Sequence, residues 1–106
     1  MSNRVQLPPK RAGEMVIYPQ FDFLSLYASS TDSLLFILSV TASVYSGIDP
    51  NPTAIIASDS FANSVVSVGV TGGVVGVIYE LAVKVTLASG QSPILCGYLA
   101  VIPDLV

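Results

Sequence analysis

The sequence predicts an all-β fold, a small two-layer sandwich, and three observations carry that prediction. From Val77 every second residue is apolar: Val77, Tyr79, Leu81, Val83, Val85 and Leu87. That is the period of a strand with one buried face. Leu34, Phe36, Leu38, Val40, Ala42 and Val44 repeat the pattern without a break. Turn signals also cut the chain at short intervals, and no segment groups its apolar residues every three or four positions as a helix would.

Taken in order, residues 1–13 (M-S-N-R-V-Q-L-P-P-K-R-A-G) form an extended arm. Pro8-Pro9 fixes the backbone there and blocks a helix start. The folded domain is expected over residues 14–106. Residues 14–19 (E-M-V-I-Y-P) are a short strand stopped by Pro19. Residues 21–27 are a second short strand or a corner, apolar on both faces and so without a fixed register. Ser29–Asp32 turns, and 33–46 is a long strand whose second face, with Leu35 and Ile37, is also partly apolar. Gly47–Pro52 is a loop, because two prolines prevent ladder pairing. Residues 53–57 (T-A-I-I-A) form a short strand and Ser58-Asp59-Ser60 a turn. Residues 63–71 alternate again, and Gly72, Gly73 and Gly76 open the strand from Val77, which Ala88-Ser89-Gly90 closes. Residues 94–102 (I-L-C-G-Y-L-A-V-I) are apolar on both faces, as in a central strand or a subunit contact. The total is about seven strands, the pattern of an immunoglobulin-like β-sandwich. Gly76-x-x-Tyr79 sits where such sandwiches place a tyrosine whose hydroxyl bonds back to the preceding loop; the alternative is a plain core aromatic.

Composition narrows the function. The chain has 106 residues, one domain's worth, and 52% are apolar. Only 10% are charged, against roughly a quarter in an average soluble protein. A surface so poor in charge suits burial against other subunits. Arg4, Lys10 and Arg11 precede every acid, and Lys84 is the only later base, against seven acids. Three charges on an acidic protein do not make a nucleic-acid binder. The arm is either a solvated tail or a contact for a neighbour. No leader is expected from the polar, Pro-containing start. The uncharged run Ser60–Tyr79 has a period of two, which speaks against a membrane helix.

Catalysis and metal binding are not expected. There is no histidine, the commonest general base and metal ligand. Cys96 is the single cysteine, so neither an intrachain disulfide nor a cysteine-rich zinc site is possible, and its apolar run makes it a small buried side chain. Glu14, Asp22, Asp32, Asp49, Asp59, Glu80 and Asp104 are scattered, mostly in predicted turns, where acids bond their own backbone. A pair such as Asp49 with Asp59 stays open. Gly72-Gly73-x-x-Gly76 resembles a phosphate loop only superficially, since a strand and no helix follows. No catalytic, cofactor-binding or metal-binding residue is therefore assigned. The contact candidates are Arg4, Lys10 and Arg11 on the arm, the aromatics Tyr18, Phe21 and Phe23, and Leu95, Leu99 and Val101 on the last strand. The aromatics serve either a contact patch or the closure of one end of the core.

The stretches I-D-P-N-P-T-A-I-I, V-T-G-G-V-V-G-V-I-Y-E-L, T-L-A-S-G-Q and G-Y-L-A-V-I-P carry a resemblance. Over roughly residues 14–103 the chain resembles small virion proteins of tailed bacteriophages, the fiber-tail adaptor or neck proteins. The chain departs from that pattern at Pro93, where a β-former is expected. The resemblance implies an immunoglobulin-like sandwich, made in the host cytoplasm and assembled in copies at the head–tail junction or tail. It implies partners among copies of itself, the portal or head–tail connector, and tail or fibre proteins, with no cofactor, membrane or direct nucleic-acid contact. The arm is then expected to dock on an adjacent subunit. A head-decoration or host-surface adhesion module is the alternative.

Overall fold

The computed structural model describes residues 4–11, 13, 16–27 and 29–103, with residues 4–6 described by backbone alone. In chain order the strands among them are β1 (Arg4–Gln6), β2 (Lys10–Arg11), β3 (Gln20–Asp22), β4 (Leu34–Ser46), β5 (Ile56–Ala62), β6 (Val65–Val70), β7 (Ile78–Leu87) and β8 (Ile94–Ile102). Two short 3-10 turns, Leu24–Leu26 and Pro52–Ile55, interrupt them. The fold is an all-β sandwich. One sheet has the order β1-β8-β7-β4, with β2 also on β8, and the other has the order β3-β6-β5.

The alternation from Val77 holds to the end of β7. Tyr79, Leu81, Val83, Val85 and Leu87 are fully buried, and the intervening set is half-exposed. On β8 the inward set is Leu95, Leu99 and Val101, and on β6 it is Val66, Val68 and Val70. Phe21 on β3, with Phe23 just beyond it, fills one end of the core. These residues meet between the sheets as one cluster. β8 lies between β7 and the arm strands, so its two-sided apolar character is that of an interior strand.

Four expectations are corrected. β4 does not alternate unbroken from Leu34 to Val44. Its thirteen residues pair with the ten of β7, and register shifts leave Leu35, Leu38 and Tyr45 without an opposite residue. Each insertion flips the side-chain parity. Phe36 and Leu38 therefore face solvent and Ile37 turns toward the core, while Leu34, Val40, Ala42 and Val44 keep their inward side. The predicted turn Ser58-Asp59-Ser60 lies inside β5, and the reversal comes at Asn63-Ser64. Asn63 takes φ 55° there, a left-handed conformation that asparagine tolerates better than most residues. Pro52–Ile55 is a 3-10 turn that takes Thr53, Ala54 and Ile55 from the run 53–57 expected as a strand. Of the strand expected at 14–19, Glu14 and Met15 lie outside the described residues, and Ile17 makes an isolated bridge to Val70.

Candidate interaction surface

The arm needs a partner, because strands of two and three residues cannot persist alone. Within the chain it finds one in β8. β1 runs parallel to β8 with Arg4 opposite Cys96 and Gln6 opposite Tyr98, and β2 continues with Lys10 opposite Val101. Between them Leu7-Pro8-Pro9 spans the two residues Leu99 and Ala100, a one-residue bulge that the missing proline N–H groups accommodate. Parity then decides what the arm exposes. Lys10 shares the inward side of Val101 and is fully buried, its Nζ donating to the Arg11 carbonyl at 3.0 Å. Its long apolar stem covers the core edge, as lysine stems do. Leu7 is buried beside it, and Arg11 is half-exposed.

The contact candidates thus divide. Phe21, Phe23, Leu95, Leu99 and Val101 are core residues, and Lys10 joins them. The reason is the same for the last three hydrophobics: a strand apolar on both faces carries no parity signal, and register with Val83 and Tyr79 turns Leu95 and Leu99 inward. Tyr18 is exposed and Arg11 partly so. Arg4 is placed on β1 by backbone. Cys96, expected to be buried, is half-buried on the outer side of β8, opposite Ala82.

The exposed apolar surface lies elsewhere, along β4. Among the described residues this strand closes its sheet, paired to β7 and to no strand on its other side. It bears no charged residue over thirteen positions. Leu35 is 52% exposed, Phe36 47%, Leu38 50% and Tyr45 61%, and Ile48 just beyond is 85% exposed. Three of these, Leu35, Leu38 and Tyr45, are the residues that β7 leaves unopposed. The insertions push large side chains out of the ladder. Between Leu38 and Tyr45 the six residues Ser39–Val44 keep an unbroken register. Tyr45 is held over the outer face by Tyr98, with ring centroids 4.3 Å apart. Because β7 separates their strands, the two rings reach across it. The signal was present in the sequence as the apolar excess at Leu35; the bulges that expose Phe36 and Leu38 were not.

Asp49, Asp22 and Asp32 have structural partners. Tyr79 donates its hydroxyl hydrogen to Asp49 Oδ2 at 2.6 Å and accepts the Val74 N–H at 2.9 Å. This is the backward bond to the loop expected of a corner tyrosine. Gly73 has φ 101°, and a Cβ there would lie 2.8 Å from Val101, so the glycine loop is built to pack against β8. The Tyr79 hydroxyl and the Asn51 N–H hold the Asp49 carboxyl below the usual carboxylate range. Burial, and then Asp49, push the Tyr79 hydroxyl up. Asp22 caps the Leu24 N–H and accepts from Ser64. Asp32 accepts from the Ser33 and Ser89 N–H groups and the Ser89 hydroxyl, tying the turn before β4 to the turn after β7. It also borders an open groove of about 400 Å³ beside Leu24 and Phe61. Among the described residues no three His, Cys, Asp or Glu side chains are grouped to hold a metal ion, and no helix is long and apolar enough to cross a membrane. No protein-family model, curated protein or solved structure matches the chain.

Proposed function

We propose that the chain is a non-catalytic assembly protein, a structural component of a tailed-phage virion that joins fibre or tail parts to the head–tail connector. The observation that carries this reading is the β4 edge: long, uncharged, apolar and open. Natural sheets blunt such edges with charge, proline or a covering segment unless a partner covers them. The acids that are engaged in capping turns and holding Tyr79 fit a scaffold better than a reaction centre. The order β8-β7-β4 opposite β3-β6-β5 corresponds to the G-F-C and B-E-D strands of immunoglobulin domains. Together with the Tyr79 corner, it supports the immunoglobulin-like form of the sandwich. The phage context rests on the V-T-G-G-V-V-G-V-I-Y-E-L resemblance. The partners in this reading are other copies of the chain, the connector and tail or fibre proteins. The test is to label the chain in purified particles. Several copies at the head–tail junction or tail are expected, and particles of full composition without the chain refute the proposal.

A further inference from the structure

We infer that β4 is a self-pairing edge: two copies of the chain join antiparallel along Ser39–Val44, about a twofold axis through Thr41 or Ala42. The inference rests on the assembly reading and names one partner for its surface. A second copy fits for three reasons.

The first is charge. An edge with no charged residue from Leu34 to Ser46 meets its own copy without repulsion. The opposite edge strand, β5, carries Asp59 and would bring like charges together.

The second is the placement of the insertions. Only Ser39–Val44 keeps an unbroken register, and an unopposed large apolar residue stands at each end, Leu38 and Tyr45. Antiparallel pairing that keeps the same sheet face up makes Thr41 or Ala42 its own opposite number. Either register brings Leu38 of one copy within one residue of Tyr45 of the other, at both ends. The bulges that would spoil pairing along the full strand thus bracket a regular segment. The bulge at Leu38 also supplies a side chain that closes over it, while Tyr45 lies back over β7 against Tyr98.

The third is area. Leu35, Phe36, Leu38, Tyr45 and Ile48 leave roughly 100 Å² or more each exposed, so two copies bring on the order of 1,000 Å² of side-chain surface to the neighbourhood of the contact, about what a specific interface needs to draw on. Isologous contacts of this kind are the commonest in soluble oligomers.

The experiment uses the full chain in sedimentation equilibrium up to about 100 µM. Wild type is expected to dimerise. Thr41 is exposed, so Thr41→Lys and Thr41→Glu leave the core untouched, and circular dichroism and Tm check that the fold is kept. Each variant alone is expected to associate at least about tenfold more weakly, because like charges meet at the axis. An equimolar mixture of the two is expected to recover a heterodimer. Hydrogen exchange should show the alternate amides of Ser39–Val44 that point away from β7 protected in wild type and released in either variant, while those bonded to β7 stay protected in both. A wild-type chain monomeric throughout overturns the inference, as does a dimer indifferent to both charges. Neither result removes the chain from the particle, so the assembly reading is judged separately by labelling. A dimer of a chain absent from particles keeps the pairing and discards the role.

Discussion

The two strands that close the sandwich on one side, β4 and β5, solve the same problem in opposite ways. Among the described residues each ends a sheet and leaves one row of backbone groups without a strand beside it. β5 has the sequence I-A-S-D-S-F-A, with Asp59 at its centre and all but Ile56 exposed. The charge of Asp59 makes it a poor template for another strand. β4 has the sequence L-L-F-I-L-S-V-T-A-S-V-Y-S and presents leucine, phenylalanine and tyrosine to solvent. The difference teaches that exposure alone does not mark a working surface. Both strands are exposed and carry hydroxyl groups, but only β4 has no charge to make its exposed apolar side chains tolerable.

The sharpest break of this comparison uses two phenylalanines. Phe21 is fully buried and Phe36 lies on the β4 edge. Phe21→Ala is expected to cost about 3–5 kcal/mol in urea unfolding, the range for a core phenylalanine. Phe36→Ala, which removes a half-buried ring, should cost only about 1 kcal/mol and act on association as well. Equal losses at both sites would mean that β4 is covered within the monomer.

A third edge sharpens it further. β8 would be open if the arm did not lie on it. Deleting residues 2–12 removes five ladder positions and the burial of Leu7 and Lys10. The loss should be about 3 kcal/mol after the entropy of ordering the arm is returned, with greater aggregation from the newly bared β8. An unchanged Tm would show that the arm contributes nothing to its own domain.

Smaller effects are expected at the joint between the two edges, where Asp49 in the β4–β5 connection meets Tyr79. Tyr79→Phe leaves the Val74 N–H and Asp49 without their partner and should cost about 1–2 kcal/mol. The pH dependence follows from the signs. The Asp49 carboxyl titrates lower in the folded chain than unfolded. Its stabilisation is therefore complete above the ordinary carboxylate range, near pH 4, and is lost as pH falls through the lowered value. The Tyr79 hydroxyl titrates higher in the folded chain, so its share is complete below about pH 10 and is lost as pH rises through the raised value. Tyr79→Phe should flatten both limbs of a Tm-against-pH curve. A mutant that keeps both limbs would assign them to other groups.

The smallest change in stability, within about 0.5 kcal/mol, is expected from exchanging the character of the edges: Asp59→Val on β5 and Leu38→Lys on β4. Solubility should move in opposite directions, falling for the first and rising for the second, as read by light scattering on heating. If both variants scatter alike, edge chemistry is not what separates the two strands.

How much of this was legible depended on whether the pattern had a parity. β7 alternates apolar with polar, and its inward set, Tyr79 to Leu87, follows directly. β4 alternates in the letters, but its insertions at Leu35, Leu38 and Tyr45 are set by pairing with a shorter strand, which no local pattern reveals. β8 is apolar at every position but Gly97, so Leu95 and Leu99 were as eligible for the surface as Cys96 and Tyr98. Ser58-Asp59-Ser60 has the composition of a turn, yet hydrogen bonding to β6 holds it extended and Asn63 makes the reversal. The arm was legible as extended and not as docked, since so short a ladder leaves no periodicity. Of the contact residues named from sequence, the core took most, because large apolar side chains serve both roles and only register separates them.

The parallel seating of Arg4–Gln6 and Lys10–Arg11 on β8 joins segments far apart in the chain. During synthesis the earlier segment emerges long before its place exists. It must wait, unclaimed, while everything between is threaded and folded. Closing so long a loop is slow, and the interval is one in which the same residues are free to settle on another molecule's final strand. A segment made before its partner and seated only after it has an order of assembly written into the connectivity.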